Sequence, residues 1–140
     1  MAYKLSANEK KLLIAVLFLS AIIRLIIVAV PFRWIVPLLG QHMKESPTGE
    51  TENNLRQAQV VGRMIERVCR LTPWESKCLV QAITGKVILS FQGIGTTLYL
   101  GVCKETQNRL AAHAWLRCGE MTVTGGAGSE YFTVVSTFAD

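Results

Sequence analysis

Cys78 and His113 are the two residues whose types could together do chemistry. Cys78 follows a helix-start signal, and His113 lies 35 residues further along (113 − 78), in a segment that alternates like a strand. A free thiol is only a few per cent thiolate at neutral pH, so a cysteine nucleophile needs a neighbour that takes its proton. Taken singly, each residue fits a structural role. Together they predict a thiol nucleophile and its base.

A capping box predicts the helix that carries Cys78. Thr72 can cap the helix, a proline occupies the first helical position, and Glu75 stands three residues after Thr72. The helix is predicted over residues 73–91, with Gly93 as its C-cap. Cys78 then lies in the second turn, where the effect of the helix dipole has largely faded. The position alone therefore does not activate the thiol.

The segments around this helix predict an α+β fold. Apolar residues at helical spacing predict another helix over residues 55–71. Alternation and β-branched residues predict strands over residues 96–102, 111–118, 121–124 and 131–138. Helices followed by a small antiparallel sheet are the α+β pattern.

The N-terminal region is strongly apolar. Residues 12–30 are nearly all apolar and would form a helix roughly 28 Å long, close to the hydrocarbon thickness of a bilayer. Arg24 opposes a spanning helix, because a charge at the membrane centre costs about 2.5–3.5 kcal/mol on insertion scales. We expect a helix buried against the protein or a partner, with a membrane-surface helix and a spanning helix as alternatives. We divide the chain into an apolar helical segment, 1–48, and a compact domain, 49–140.

A polar stretch separates these two regions. Residues 41–54 contain a proline and a glycine and show no hydrophobic period, which predicts a linker. His42 lies at its edge with no other candidate ligand nearby, so we expect it to be a solvated loop residue.

Composition excludes several classes of site. The four cysteines have no CxxC spacing and no cluster with the two histidines, so we expect no metal and no cofactor, and reduced thiols in the cytoplasm. The net charge of +5 is not gathered into a basic stripe with aromatics, so we expect no nucleic-acid partner. Residues 125–128 are glycine-rich but lack the lysine and helix N-terminus of a phosphate loop.

Several short motifs together resemble one known family. They are Trp74, Lys77-Cys78-Leu79, Gln81-Ala82, Gly93-Ile94, Leu98-Tyr-Leu-Gly-Val102 and Ala112-His113-Ala114-Trp115. These motifs resemble the transglutaminase-like cysteine protease that removes the leader from lasso-peptide precursors, the B-type protein of lasso-peptide biosynthesis in its stand-alone form. The resemblance covers most of the chain and is strongest over residues 71–126.

This resemblance implies a transglutaminase-like or papain-like fold and a maturation protease. Cys78 would be the nucleophile and His113 the general base and acid. The partners implied are the precursor peptide, a separate leader-recognition protein and the ATP-dependent lasso cyclase. Two other functions remain open: an acyl transferase that uses the same pair, and an inactive peptide-binding member of the same fold.

The sequence departs from the family where a third catalytic residue is expected. An aspartate would lie on the strand after His113, and none is present there. The candidates that could orient the imidazole are Glu120, Thr122, Thr124 or a backbone carbonyl.

The sequence also leaves more than one residue as a candidate donor of the oxyanion hole. One donor would be the backbone N–H of Cys78, and the second would be Gln81 or the indole N–H of Trp74. Trp115 shares a strand face with His113, so it either walls the site or packs in the core.

Overall fold

The chain forms a helical layer packed on an antiparallel sheet, so the predicted α+β class is confirmed. The computed structural model describes residues 7–35, 37, 41–42, 49–71, 78–104, 110–126 and 129–139. The helices in these ranges are α1 (Ala7–Ala29), α2 (Phe32–Ile35), α3 (Glu52–Leu71) and α4 (Cys78–Phe91). The strands are β1 (Gln41–His42), β2 (Thr97–Lys104), β3 (Leu110–Cys118), β4 (Met121–Thr124) and β5 (Thr133–Ala139).

Helix α3 begins at a side-chain cap. The Thr51 hydroxyl accepts the Asn54 N–H at 3.2 Å, and the Thr51 carbonyl accepts the Leu55 N–H at 3.0 Å. The helix therefore starts at Glu52, so the predicted linker extended too far when it included residues 52–54. Its apolar face is buried as the periodicity predicts, at Ala58, Val61, Ile65 and Val68.

Helix α4 ends where the sequence predicts. The Ile94 N–H donates to the Leu89 carbonyl at 2.9 Å and the Gly93 N–H to the Ser90 carbonyl at 3.0 Å. These two bonds form a Schellman motif, and Gly93 supplies the left-handed residue with φ 76°. The predicted start of this helix, with its capping box, lies outside the described residues.

The five strands pair in the order β1-β5-β2-β3-β4, and every pairing is antiparallel. The predicted loop assignment of residues 41–42 was wrong, because Gln41 and His42 pair with the end of β5. A two-residue strand is too short to show alternation. The last strand was predicted to start two residues early. Ser129–Tyr131 instead forms a 3₁₀ turn, closed by the Phe132 N–H bond to the Ser129 carbonyl at 3.1 Å.

The two faces of β3 have different neighbours. Ala114 and Leu116 are buried on the helical side, where a Cβ added to Gly85 of α4 would lie 2.9 Å from Leu116 Cδ2. Alternation places His113 and Trp115 on the opposite face. Their partners across β2 are Gly101 and Tyr99.

Helix α1 packs against α3 and α4 with one face only. Val16, Ser20 and Ile23 are buried there, while Phe18 and Leu25 are 64% and 68% exposed. The expectation of a buried helix therefore holds for one face. By length and composition α1 could also cross a membrane, a test that core helices and signal sequences pass as well. The division of the chain between residues 48 and 49 stays a prediction.

Candidate active site

The fold brings Cys78 next to the strand that carries His113. Cys78 is the first described residue of α4 and is half-buried. Its Sγ accepts the backbone N–H of Ala114 at 3.3 Å. Because that nitrogen is bonded to the carbonyl carbon of His113, the sulfur lies no more than about 6.2 Å from the His113 Cα. The thiol of Cys78 therefore lies next to the backbone of His113.

A backbone carbonyl fixes the imidazole of His113. Nε2 of His113 lies 2.7 Å from the carbonyl oxygen of Gly125. A carbonyl oxygen only accepts hydrogen bonds, so Nε2 carries the proton in this contact. This partner assigns the tautomer, and the neutral ring then has its lone pair on Nδ1. Nδ1 is thus the atom available to act as a base.

The thiol of Cys78 and the imidazole of His113 are not hydrogen-bonded to each other. Among the described residues, Cys78 Sγ makes its hydrogen bond with the Ala114 N–H, and none joins it to the His113 ring. Direct proton transfer needs the two atoms within about 3.2 Å, or one bridging water. Catalytic hydrogen bonds are often long in ligand-free proteins and shorten when substrate binds. Because alternation places the His113 side chain on the face of β3 opposite α4, proton transfer from Cys78 requires a change from this geometry or a bridging water.

Gly125 can present its carbonyl to His113 only as a glycine. Its φ is 71°, in the left-handed region that side chains disfavour. A Cβ at this position would lie 2.5 Å from the Ala114 carbonyl oxygen. Sequence reasoning left a backbone carbonyl open as the orienting group without locating it. The available signal was a glycine directly after the strand that pairs with β3.

Two aromatic rings, those of Trp115 and Phe132, contact the imidazole of His113, and Tyr99 stacks on Trp115. Trp115, only 9% exposed, stacks on His113 with ring centroids 5.8 Å apart and on Tyr99 at 5.5 Å. Phe132 also contacts the imidazole, with the two ring centroids 5.1 Å apart. Gly101 leaves room for this packing, because a Cβ there would lie 2.9 Å from both Trp115 and Phe132. Trp115 therefore packs between the His113 and Tyr99 rings, and its role as a wall of the active site stays a prediction.

Tyr99 and Phe132 were not identified from the sequence. Tyr99 lies beside Trp115 because β2 pairs with β3. Phe132 lies near His113 because β5, the strand that follows Phe132, pairs with β2. Such long-range pairings leave no local pattern, although an aromatic residue beside a strand could have suggested a wall.

The three side chains considered for orienting His113 lie elsewhere. Glu120 is exposed in the turn after β3, at the opposite end of the strand from His113. Thr122 is exposed beside Gly126. Thr124 is buried towards α4, where a Cβ on Gly85 would lie 3.8 Å from its methyl group, and its hydroxyl has no hydrogen-bond partner among the described residues. The structure does not bring these side chains to the imidazole.

The proposed oxyanion donors are only partly described. Gln81 is half-buried one turn after Cys78 on α4, and three-residue spacing puts both on neighbouring positions of the helix surface. Trp74 lies outside the described residues.

The surroundings of Cys118 differ from those of Cys78. Cys118 is fully buried, and this burial raises the pKa of its thiol; Glu50 raises it further and Arg117 lowers it. None of the four cysteines forms a disulfide. Within the described ranges, no three His, Cys, Asp or Glu side chains form a group that could hold a metal ion.

Comparison with known proteins gives one match. A family model described as the transglutaminase-like superfamily matches residues 26–137, which include both Cys78 and His113. No curated protein and no solved structure matches the chain.

Proposed function

This chain belongs to the transglutaminase-like superfamily, and we propose that it is the cysteine peptidase that removes the leader from a lasso-peptide precursor. Members of this superfamily are commonly cysteine peptidases or acyltransferases. The observation that carries the proposal is the contact of Cys78 Sγ with the Ala114 N–H, directly beside His113. The finer assignment to lasso-peptide maturation rests on the motif resemblance over residues 71–126.

The proposed reaction has two steps. Nδ1 of His113 takes the thiol proton as Cys78 Sγ attacks the carbonyl carbon at the leader–core junction. The imidazolium gives that proton to the departing amine of the core peptide, which leaves the leader as a thioester on Cys78. Water, deprotonated by the same ring, then hydrolyses the thioester and restores the thiol. The Gly125 carbonyl holds the ring in the required tautomer and stabilises the imidazolium.

The tetrahedral intermediate carries a negative oxygen that needs donors. We assign the Cys78 backbone N–H as one donor, with Gln81 or Trp74 as the second. The partners of the proposed enzyme are the precursor peptide, a separate recognition protein that holds the leader, and the ATP-dependent cyclase that closes the ring.

The test is cleavage of the precursor in the presence of the recognition protein, followed by intact-mass measurement. We expect the protein to release the leader, and we expect Cys78→Ala and His113→Ala each to abolish release. Cys103→Ala is the matched control, because Cys103 is also half-buried but lies on β2, and it should retain full activity.

Three outcomes would overturn the proposal. Unchanged cleavage in Cys78→Ala or His113→Ala would remove the proposed pair from the reaction. A leader joined to an amine, without hydrolysed leader, would indicate an acyl transferase. Binding of the precursor with no covalent change would indicate a peptide-binding protein.

A further inference from the structure

Helix α1 exposes an apolar face that the rest of the chain leaves uncovered. Ile14, Phe18, Ile22, Leu25 and Val28 recur at spacings of four and three residues and are 52–78% exposed. This spacing puts them on one side of a helix. Burial of exposed apolar side chains is favourable, so a surface that covers this face would gain binding energy from it.

The apolar surface extends beyond α1. Trp34, at α2, is 64% exposed, and Phe91, at the end of α4, is 89% exposed. A cavity of about 340 Å³ between α1 and α4 joins Ile22 and Ile26 to Phe91. Aromatic side chains at the margin of an apolar surface are typical of proteins that sit at a membrane interface.

Positive charges surround this surface. Residues 7–35 contain four Lys or Arg and one Glu, a net charge of +3 out of +5 for the whole chain. Lys10 and Lys11 are exposed before the apolar face, and Arg33 is exposed after it. Anionic headgroups attract basic residues that lie next to a membrane. The charge therefore complements an anionic lipid surface.

The opposite side of α1 excludes a spanning orientation. Val16 and Ile23 are buried in the same core as α3 and α4. Helix α3 carries the exposed ion pairs Arg56–Glu52 and Arg70–Glu66. A spanning α1 would have to leave this core or draw those charges into lipid, which is costly.

The same charges oppose a pair of identical chains. In a two-fold dimer, each copy presents the same surface to the other. Two segments of net charge +3 would then face each other across apolar contacts, and the residues 7–35 offer only Glu9 to compensate. An anionic bilayer supplies the missing negative charge.

We infer that α1 is a one-sided membrane anchor, which lies in the surface of a bilayer that contains anionic lipids. The exposed apolar face enters the boundary between headgroups and acyl chains, and the core face stays on the protein. Lys10, Lys11 and Arg33 contact lipid phosphates at the rim of this surface.

Flotation of the full chain with lipid vesicles tests the inference. We expect binding to phosphatidylcholine vesicles that contain one-third phosphatidylglycerol, and at least tenfold weaker binding to phosphatidylcholine alone. Raising the salt from about 0.1 M to about 1 M shortens the screening length from about 10 Å to about 3 Å and should weaken binding without abolishing it. The variant Phe18→Asp/Leu25→Asp should bind the anionic vesicles at least tenfold more weakly than the unmodified chain.

Val135→Asp is the matched control, because Val135 is 50% exposed on β5, away from α1. It should bind as the unmodified chain does, and circular dichroism should show that both variants stay folded. The inference would be overturned by no flotation with either vesicle, by equal flotation of Phe18→Asp/Leu25→Asp, or by a dimer in vesicle-free solution that this variant separates. Equal binding to neutral and anionic vesicles would also overturn it.

Discussion

At the scale of single residues, the site depends on which atom of His113 is available. The Gly125 carbonyl occupies Nε2 and leaves the lone pair on Nδ1. In the proposed mechanism this carbonyl has the role that a carboxylate has in a Ser–His–Asp triad, except that a neutral carbonyl stabilises the imidazolium less than a charge. In that mechanism the carbonyl of Gly125, whose φ is 71°, orients the ring in place of the acid that the sequence motif lacks.

Gly125→Ala should reduce both stability and cleavage. A left-handed alanine costs about 1–2 kcal/mol, and here the new Cβ would also lie 2.5 Å from a backbone oxygen. Gly93→Ala is the control, because Gly93 has φ 76° but nothing within 4 Å of its Cβ position. Urea unfolding should show a larger loss of unfolding free energy for Gly125→Ala than for Gly93→Ala. Only Gly125→Ala should cleave the precursor more slowly. Equal losses, or full activity of Gly125→Ala, would contradict the assigned role.

The buried thiol of Cys118 predicts a pH dependence of stability. Burial raises its pKa in the folded protein, so above the ordinary thiol pKa of about 8.5 the unfolded chain loses a proton that the folded chain keeps. The free energy of unfolding should therefore fall as pH rises from about 8.5 through the raised pKa. In chemical unfolding at several pH values, the free energy of unfolding should fall less steeply with pH for Cys118→Ala than for Cys103→Ala. Parallel curves for the two variants would contradict this explanation.

At the scale of elements, local signals predicted most of the fold. The C-cap of α4, the buried stripe of α3 and the strands β2, β3 and β4 all follow from turn residues and periodicity within short segments. The elements that were missed depend on distant partners. β1 exists only because Gln41 and His42 meet the end of β5, and the start of β5 is displaced by a 3₁₀ turn that also holds Phe132 near His113.

The buried Lys86 of α4 forms hydrogen bonds with Thr96, in the segment before β2. Lys86 is 4% exposed, and its Nζ donates to the Thr96 carbonyl at 2.9 Å and to the Thr96 hydroxyl at 3.3 Å. Lys86→Met keeps much of the apolar stem but leaves a buried carbonyl without this donor, so we expect a loss of about 1–3 kcal/mol in unfolding free energy. Lys104→Met, at an exposed position of β2, should change it by less than about 0.5 kcal/mol. Equal effects in urea unfolding would contradict this role for Lys86.

At the scale of the whole molecule, the site is formed by parts that are distant along the chain. Cys78 comes from the start of α4 as described, His113 from β3, Gly125 from the end of β4 and Phe132 from the segment before β5. The sequence was sufficient to name the first two, since their residue types limit the chemistry. It could not locate the carbonyl or the aromatic wall, because those positions depend on strand pairing. It also could not show that α1 packs with one face only.

The central claim is that Cys78 is a nucleophile assisted by His113, and alkylation by iodoacetamide tests it without knowledge of the substrate. Peptide mapping by mass spectrometry gives the rate at each cysteine in the native protein. We predict that Cys78 reacts faster than the similarly half-buried Cys103, and that His113→Ala slows Cys78 at least tenfold while leaving Cys103 unchanged. A Cys78 that reacts no faster than Cys103, or whose rate is the same in His113→Ala, would contradict the account.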